Sequence, residues 1–403
     1  MKILHTADWH LGKQLRKVDL SEDIARFLDW LLNTIESERI DVLLMSGDLF
    51  DMSNPSQSAL QQYYDFLRRA IKLSHACKII ITGGNHDSPA VLNAPKDLLK
   101  ALDISVIGAV TDQVKDVFVE VDVHGEKLVV AAVPFLRERD IRKSAAGESF
   151  EDKASLVREG IRQYYADVND FYREHYADKP FIAMGHLFVH GASISESERD
   201  IQVGNQAGVE HLIFGDDPHY VALGHIHKPQ LAGADHIRYS GSPIPLSFSE
   251  RDTAKQVLIL EWQGKSFDIQ SLKIPTWRRL HRISGTLQEV MNTLHNYQSD
   301  SPLPDLLELR VHEPQESAEV IRQLMEVVQQ PPVDGVQIID YRVTFESNLK
   351  RTDELLGTDD QINQYSPTEI FRKRLQQEYD SKDEIALMEA FTEILESLND
   401  HRL

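Results

Sequence analysis

Residues 2–10 read Lys2-Ile3-Leu4-His5-Thr6-Ala7-Asp8-Trp9-His10. A β-branched apolar run of strand length ends in a carboxylate and an imidazole two positions apart, which sets two polar side chains at the edge of a buried sheet. The pattern recurs along the chain. Residues 41–45 (DVLLM), 78–81 (KIII), 181–184 (FIAM) and 220–223 (YVAL) each read as a buried strand followed within a few positions by Gly, Asp, Asn or His. Amphipathic stretches separate them, so residues 1–275 read as a layered α/β fold with its polar clusters on loops at one sheet edge. Two segments read as hairpins: 117–123 with 127–133 across His124-Gly125, and 257–262 with 267–274 across Gln263-Gly264. The sheet system is therefore mixed.

Five clusters follow in order: Asp8-Trp9-His10, Gly47-Asp48, Gly84-Asn85-His86-Asp87, Gly185-His186 and Gly224-His225-Ile226-His227. Their donors are hard oxygens and imidazoles with no thiolate, a set suited to Mn²⁺, Fe²⁺, Mg²⁺ or Zn²⁺ with water-accessible positions rather than to a closed structural zinc. Glycine precedes four of the clusters and permits the tight turn each needs. A carboxylate can bridge two ions where an imidazole cannot, which makes Asp48 the natural bridge. On extended chain, Asp8 with His10 and His225 with His227 face one way, so each pair is expected to point into one pocket. Trp9 is expected to point the other way, into the core. Two cations roughly 3.5 to 4 Å apart polarise a phosphoryl group and activate a water for in-line attack, the chemistry of phosphoester hydrolysis.

Taken jointly, from Asp8 to His227, the clusters resemble the D-x-H, G-D, G-N-H-[DE], G-H, G-H-x-H pattern of the calcineurin-like metallophosphoesterases. Residues 3–13 (ILHTADWHLGK) and 239–248 (YSGSPIPLSF) are similar, within that superfamily, to the SbcD family of bacterial nuclease subunits. The resemblance implies a four-layer α/β/β/α sandwich over residues 1–275, with a small α+β capping, DNA-binding domain at 276–345. It implies Asp8, His10, Asp48 and His227 around one ion and Asp48, Asn85, His186 and His225 around the other, with Mn²⁺ as activating metal and Mg²⁺ permitted. His86 is then the catalytic residue beside the scissile phosphate, where an imidazole titrating near neutrality can stabilise charge or protonate the leaving oxygen. Asp87 is expected to orient His86 by accepting its other N–H. Asp51 is expected to support by hydrogen bonding, and His190 is not expected to ligate. The implied activity is 3′ to 5′ exonuclease and endonuclease action on DNA ends and hairpins, in repair, recombination and replication. The implied partner is an SbcC-like ABC/SMC-type ATPase subunit, in a heterotetramer containing a homodimer of this chain.

At 403 residues more than one domain is expected. After Pro275, residues 278–283, 286–295, 306–311, 317–329 and 336–343 read as a β-α-β-α-β unit. Residues 346–365 are polar and acidic, a linker. Ser366-Pro367-Thr368-Glu369 and Ser381-Lys382-Asp383-Glu384 each match a capping box, opening a helical pair over 366–403. Ile385, Met388, Phe391, Leu395 and Leu398 make an apolar stripe on the second helix. It either docks the ATPase or folds back on its own domain.

Composition limits the rest. A net charge of −21 is the reverse of a stand-alone DNA binder, and residues 276–403 alone carry −11. Basic residues at 13–17 and 137–143 either contact phosphates or sit on solvated loops. The single Cys77 allows no internal disulfide and reads as part of a buried strand. With no membrane-length apolar run and no signal-like start, a cytoplasmic chain is expected. The helix expected over 55–71 is apolar on two sides, Ala59/Tyr63/Phe66/Ala70 and Leu60/Tyr64/Leu67/Ile71. The second side is either a homodimer surface or a broad core stripe. Three functions stay open: a DNA nuclease subunit, a small-molecule or nucleotide phosphodiesterase, and a non-catalytic scaffold.

Overall fold

The computed structural model describes residues 1–141, 149–198, 208–315 and 317–345, with Phe371, Leu387, Met388 and Phe391 beyond them. Two six-stranded sheets face each other. The first runs Phe267–Lys273, Gln256–Trp262, Lys2–Thr6, Val42–Ser46, Lys78–Thr82, Ile104–Ile107. The second runs Gln230–Leu231, Ile237–Tyr239, Tyr220–Gly224, Phe181–His186, Glu126–Ala131, Phe118–Val123. Lys2–Thr6 pairs in parallel with Val42–Ser46 and antiparallel with Gln256–Trp262, so the sheets are mixed as the hairpins require.

Each central strand is buried on both faces, which is why these runs carry almost no polar residues. Ile3, Val42, Leu44 and Ile80 of the first sheet pack against Val130, Ile182, Met184 and Ala222 of the second. The outer face of the first sheet is covered by helices Ser21–Glu38 and Gln57–Ala70 through Phe27, Leu31, Tyr63 and Phe66. The outer face of the second is covered by Phe150–His175 through Val157, Ile161, Tyr165 and Val168. The result is a four-layer α/β/β/α sandwich. In Gln57–Ala70 the side bearing Ala59, Tyr63, Phe66 and Ala70 is buried, Leu60 and Leu67 also pack against the core, and Tyr64 and Ile71 are exposed. Cys77 lies just before its strand and is half-buried.

Three parallel strands, Leu280–Gly285, Asp305–Glu313 and Val336–Phe345, follow with helices Leu287–His295 and Ala318–Gln329 in the crossovers. Thr286 and Glu289 form a capping box that starts the first helix, and Ser317 caps the second. These elements bury their own cluster, including Ile283, Val290, Leu294, Leu307 and Leu309. They also join the sandwich: Leu280 and Leu306 belong to its core, and Arg278 Nε donates to Asp23 Oδ1 at 3.0 Å with both side chains nearly sealed from solvent. The expected linker at 346–365 and most of the helical pair at 366–403 lie outside the described residues. Within the pair, the rings of Phe371 and Phe391 stack at 4.0 Å.

Candidate metal centre

The five clusters leave the ends of neighbouring strands and meet on one side of the sandwich. Backbone pairing continues past the strands and aligns the loops: the Asp8 amide donates to the Gly47 carbonyl at 3.0 Å and the His10 amide to the Asp48 carbonyl at 3.1 Å. The loops themselves are not extended. Asp8, His10, Asp48 and His225 have φ of 56°, 47°, 54° and 94°. Non-glycine residues in this region cost of order 1–3 kcal/mol each, a strain that a packed surround must hold. The extended reading of Asp8–His10 and His225–His227 is therefore corrected: the strands end at Thr6 and Gly224, and left-handed turns aim the side chains. Trp9 still goes inward, packing edge-on against Phe27 and Phe66. Gly84 is required by close approach, since a Cβ there would overlap the Asp48 carboxylate.

Three groups of donors result, each with its atoms within 4.8 Å of one another: Asp8, His10 and His227; His10, Asp48 and His86; Asp48, His186 and His225. His225 and His227 thus serve different groups of one connected cluster. Asp48 belongs to two of the groups. Its Oδ1 accepts the His86 amide at 2.9 Å, and its Oδ2 lies 3.3 Å from His186 Nε2 and 3.6 Å from His10 Nε2. Asn85 Oδ1 is 2.9 Å from His186 Nε2. Asp8 Oδ1 accepts the His225 amide at 2.9 Å, while Asp8 Oδ2 is buried without a hydrogen-bond partner. Leaving a buried acceptor unmet costs about 1–3 kcal/mol.

Divalent ions fit this arrangement. His10 Nε2 and His227 Nε2 stand 3.2 Å apart with their rings nearly perpendicular. Two imidazole nitrogens about 2.1 Å from one ion, at angles between square and tetrahedral, are separated by roughly 3.0 to 3.4 Å. The charges point the same way. Burial, with the Asp48 charge adding, pushes the Asp8 carboxyl up to about 7 against the opposing pull of His186 and His10. Burial also raises Asp48, but the facing His186, His10 and His86 outweigh it and hold that carboxyl well below its usual range. Burial lowers His186, yet Asp48 and Asp8 overcome it and raise the imidazole to about 9. His225 is driven well below its usual value by burial and by His186. Bound dications would reorder these protonation states.

Several of the rings are held from the side away from the donor cluster. His186 Nδ1 meets the Ser46 carbonyl at 2.9 Å. His10 Nδ1 meets Asp51 Oδ1 at 3.1 Å, and Lys13 Nζ donates to the same oxygen at 3.0 Å. Asp51 is thus a support, as expected. Asp87 is not the support of His86. His86 Nδ1 lies 2.7 Å from the Asp51 carbonyl oxygen, while the Asp87 carboxylate accepts the amides of Gly84, Leu49 and Phe50 at 2.8, 3.0 and 2.9 Å. Asp87 ties the third cluster to the second instead. Burial and the Asp48 charge raise it to about 6 despite those three donors. His190 is exposed and belongs to none of the donor groups. Of the basic runs, Arg137 donates to the Asp87 carbonyl at 3.0 Å and Arg16 pairs with Asp340 at 3.3 Å; Arg142 and Lys143 lie outside the described residues.

The sequence reading missed the surroundings of His227. Ser197 Oγ is 2.6 Å from His227 Nδ1 and also bonds Glu250 Oε1, Glu198 Oε1 accepts the His227 amide at 2.8 Å, and Lys255 Nζ donates to the His227 carbonyl at 3.0 Å. The one available signal was the segment 239–248, which stops two residues short of Glu250.

The sequence profile of the calcineurin-like phosphoesterase family matches residues 1–229. The chain belongs to that family. A second profile, described as the type 5 capsule protein repressor C-terminal domain, matches residues 276–379. Over 413 aligned residues the chain is 30% identical to SbcD, a subunit of the SbcCD nuclease, from Escherichia coli K12, covering 99% of this chain and 98% of that protein. The protein of the same name from Bacillus subtilis is 34% identical over 77% of this chain and 79% of its own length. Within the calcineurin-like phosphoesterases the chain is thus a member of the SbcD family and a metal-dependent phosphodiesterase of the nuclease type. Among the described residues no helix is long and apolar enough to cross a membrane.

Proposed function

We propose that this chain is the Mn²⁺-dependent DNA nuclease subunit of an SbcCD-type complex, with 3′ to 5′ exonuclease and hairpin-opening endonuclease activity in DNA repair and recombination. The observation that carries the reading is the place of Asp48 in two donor groups, with Oδ2 within reach of both His186 and His10. In this reading Asp8, His10, Asp48 and His227 hold one ion, and Asp48, Asn85, His186 and His225 hold the other. Bound there, the two ions supply Lewis-acid polarisation of the phosphoryl oxygens and a lowered pKa for the attacking water.

The protein's own contribution is placement. The His225 amide fixes one oxygen of Asp8 and frees the other for an ion. The Asp51 carbonyl accepts from His86 Nδ1, so that in the imidazolium form Nε2 is the nitrogen that donates toward the leaving oxygen. Residues 1–275 serve as the nuclease domain, 276–345 as a cap over the DNA groove and 346–365 as a linker. Residues 366–403 are the docking pair for an SbcC-like ABC/SMC-type ATPase, with two copies of this chain in a cytoplasmic heterotetramer. The net charge of −21 suits a subunit that borrows DNA affinity from its partner. The Escherichia coli relative named as a nuclease subunit aligns along nearly the whole chain, including the 128 residues after Pro275, which favours the nuclease over a small-molecule phosphodiesterase.

The test is a Mn²⁺-dependent assay comparing duplex and hairpin DNA with cyclic and dinucleotide substrates. DNA cleavage is expected, and turnover of the small substrates alone would overturn the reading. Deleting residues 366–403 is expected to spare cleavage of simple single-stranded DNA and to abolish co-purification with the ATPase. Tight co-purification of the truncated chain would refute the docking assignment.

A further inference from the structure

His227 is gripped at its amide by Glu198, at its carbonyl by Lys255 and at Nδ1 by Ser197, which leaves Nε2 facing His10. The grip at Nδ1 has a direction. Glu250 is 1% exposed, and its Oε2 sits 2.5 Å from the Lys255 ammonium, which keeps it ionised. An ionised carboxylate only accepts, so in the bond between Ser197 Oγ and Glu250 Oε1 the hydroxyl is the donor. With its proton committed, Ser197 Oγ offers Nδ1 a lone pair. Nδ1 must then carry the ring proton, and Nε2 is bare.

We propose that Ser197 and Glu250 are positioning residues of the metal centre, a carboxylate–hydroxyl–imidazole relay that locks His227 in the tautomer whose Nε2 can ligate a divalent cation. The proposal rests on the metal-centre reading above. The relay is specific to one half of the centre. His186, in the other half, is oriented by the backbone carbonyl of Ser46, and His10 by the Asp51 carboxylate. Loss of the Ser197 hydroxyl therefore weakens the ion held by Asp8, His10 and His227 and spares the one held by Asp48, His186 and His225. The relay crosses long stretches of chain, with Glu250 53 residues from Ser197. Glu250 is in turn braced by Ser242 Oγ at 3.1 Å and the Leu246 amide at 3.3 Å. Its carboxylate is thus braced from its own segment as well as from the loop carrying Ser197, where Ser195 Oγ also donates to Oε1 at 3.2 Å.

The experiment uses the full-length chain and Mn²⁺ titration by calorimetry, with bound ions counted by electron paramagnetic resonance. Wild type is compared with Ser197→Ala, Ser197→Thr and Glu250→Gln. Ser197 is half-buried, so its alanine variant keeps the fold, whereas Glu250→Gln disturbs a buried ion pair and is read only alongside it. Ser197→Ala is expected to bind one ion as wild type does and the other about 10- to 100-fold more weakly. Ser197→Thr, which keeps the hydroxyl, is expected to restore the second site to within a few-fold. In metal-free protein labelled with ¹⁵N-histidine, the His227 ring is expected to show protonated Nδ1 in wild type and a tautomer mixture in Ser197→Ala. Wild type binding two ions with Ser197→Ala indistinguishable from it would overturn the relay alone. Wild type binding no divalent ion would overturn the metal centre itself.

Discussion

Asp48 Oδ2 stands 3.3 Å from His186 Nε2 while Asp48 Oδ1 is held by the His86 amide. One carboxylate therefore spends one oxygen on fixing its own orientation and faces the donor cluster with the other. Asp48→Asn keeps an acceptor for the His86 amide but removes the charge and puts an NH₂ group toward His186. We expect retained folding, loss of at least one of two bound ions, and activity reduced by about 10³-fold or more. Metal counting on the purified variant checks this, and two ions bound at wild-type affinity would contradict it.

Ion uptake should be coupled to proton release. In the metal-free protein burial holds the Asp8 carboxyl at about 7, and Asp48 overrides burial to hold the His186 imidazole at about 9. Both groups have folded pKa values above their ordinary ones, so both carry protons at pH 7, His186 almost fully and Asp8 partly. Both must be deprotonated to ligate. Binding at pH 7 is expected to release between one and two protons, with affinity falling as pH drops from 9 through 7. Calorimetry in buffers of different ionisation enthalpy measures the number directly. Zero release would show that the cluster is already deprotonated.

His86→Ala separates chemistry from metal binding. His86 is fastened by the Asp51 carbonyl rather than by Asp87, so truncation removes a proton donor without unpairing a buried carboxylate. Turnover is expected to fall by about 10²- to 10⁴-fold with two ions still bound. Loss of ions in this variant would make His86 a ligand, as its grouping with His10 and Asp48 allows.

The parts legible in the sequence were those with local signatures. A strand such as Val42–Ser46 announces itself by an unbroken apolar run, and four of the five clusters by glycine followed by a donor. What escaped was set by contacts between distant segments. Asp87 looks like the partner of His86 because they are neighbours in the chain, yet folding brings it the amides of Leu49 and Phe50. Ser197, Glu250 and Lys255 lie in stretches with no periodicity, and nothing local to them names His227 as the residue they surround. The left-handed turns at Asp8 and His10 were hidden for another reason. Neither residue is glycine, so only the pairing of Asp8 and His10 with the Gly47–Asp48 backbone shows why the chain bends there.

The buried pair of Arg278 and Asp23 joins the sandwich to the chain that leads into the three-stranded unit. Arg278 Nε lies 3.0 Å from Asp23 Oδ1, and Asp23 Oδ2 is buried without a hydrogen-bond partner. Burial raises the Asp23 carboxyl against the opposing pull of Arg278, so the pair is held at a desolvation cost rather than for a large net gain. Breaking it from one side should therefore cost more than replacing both sides. Arg278→Ala, which strands a buried carboxylate, is expected to destabilise by about 3–5 kcal/mol, and Arg278→Met with Asp23→Leu by far less. Denaturant unfolding of the three proteins gives the comparison. Equal losses in the single and double variants would mean that packing at this junction, not the unpaired charge, sets the cost.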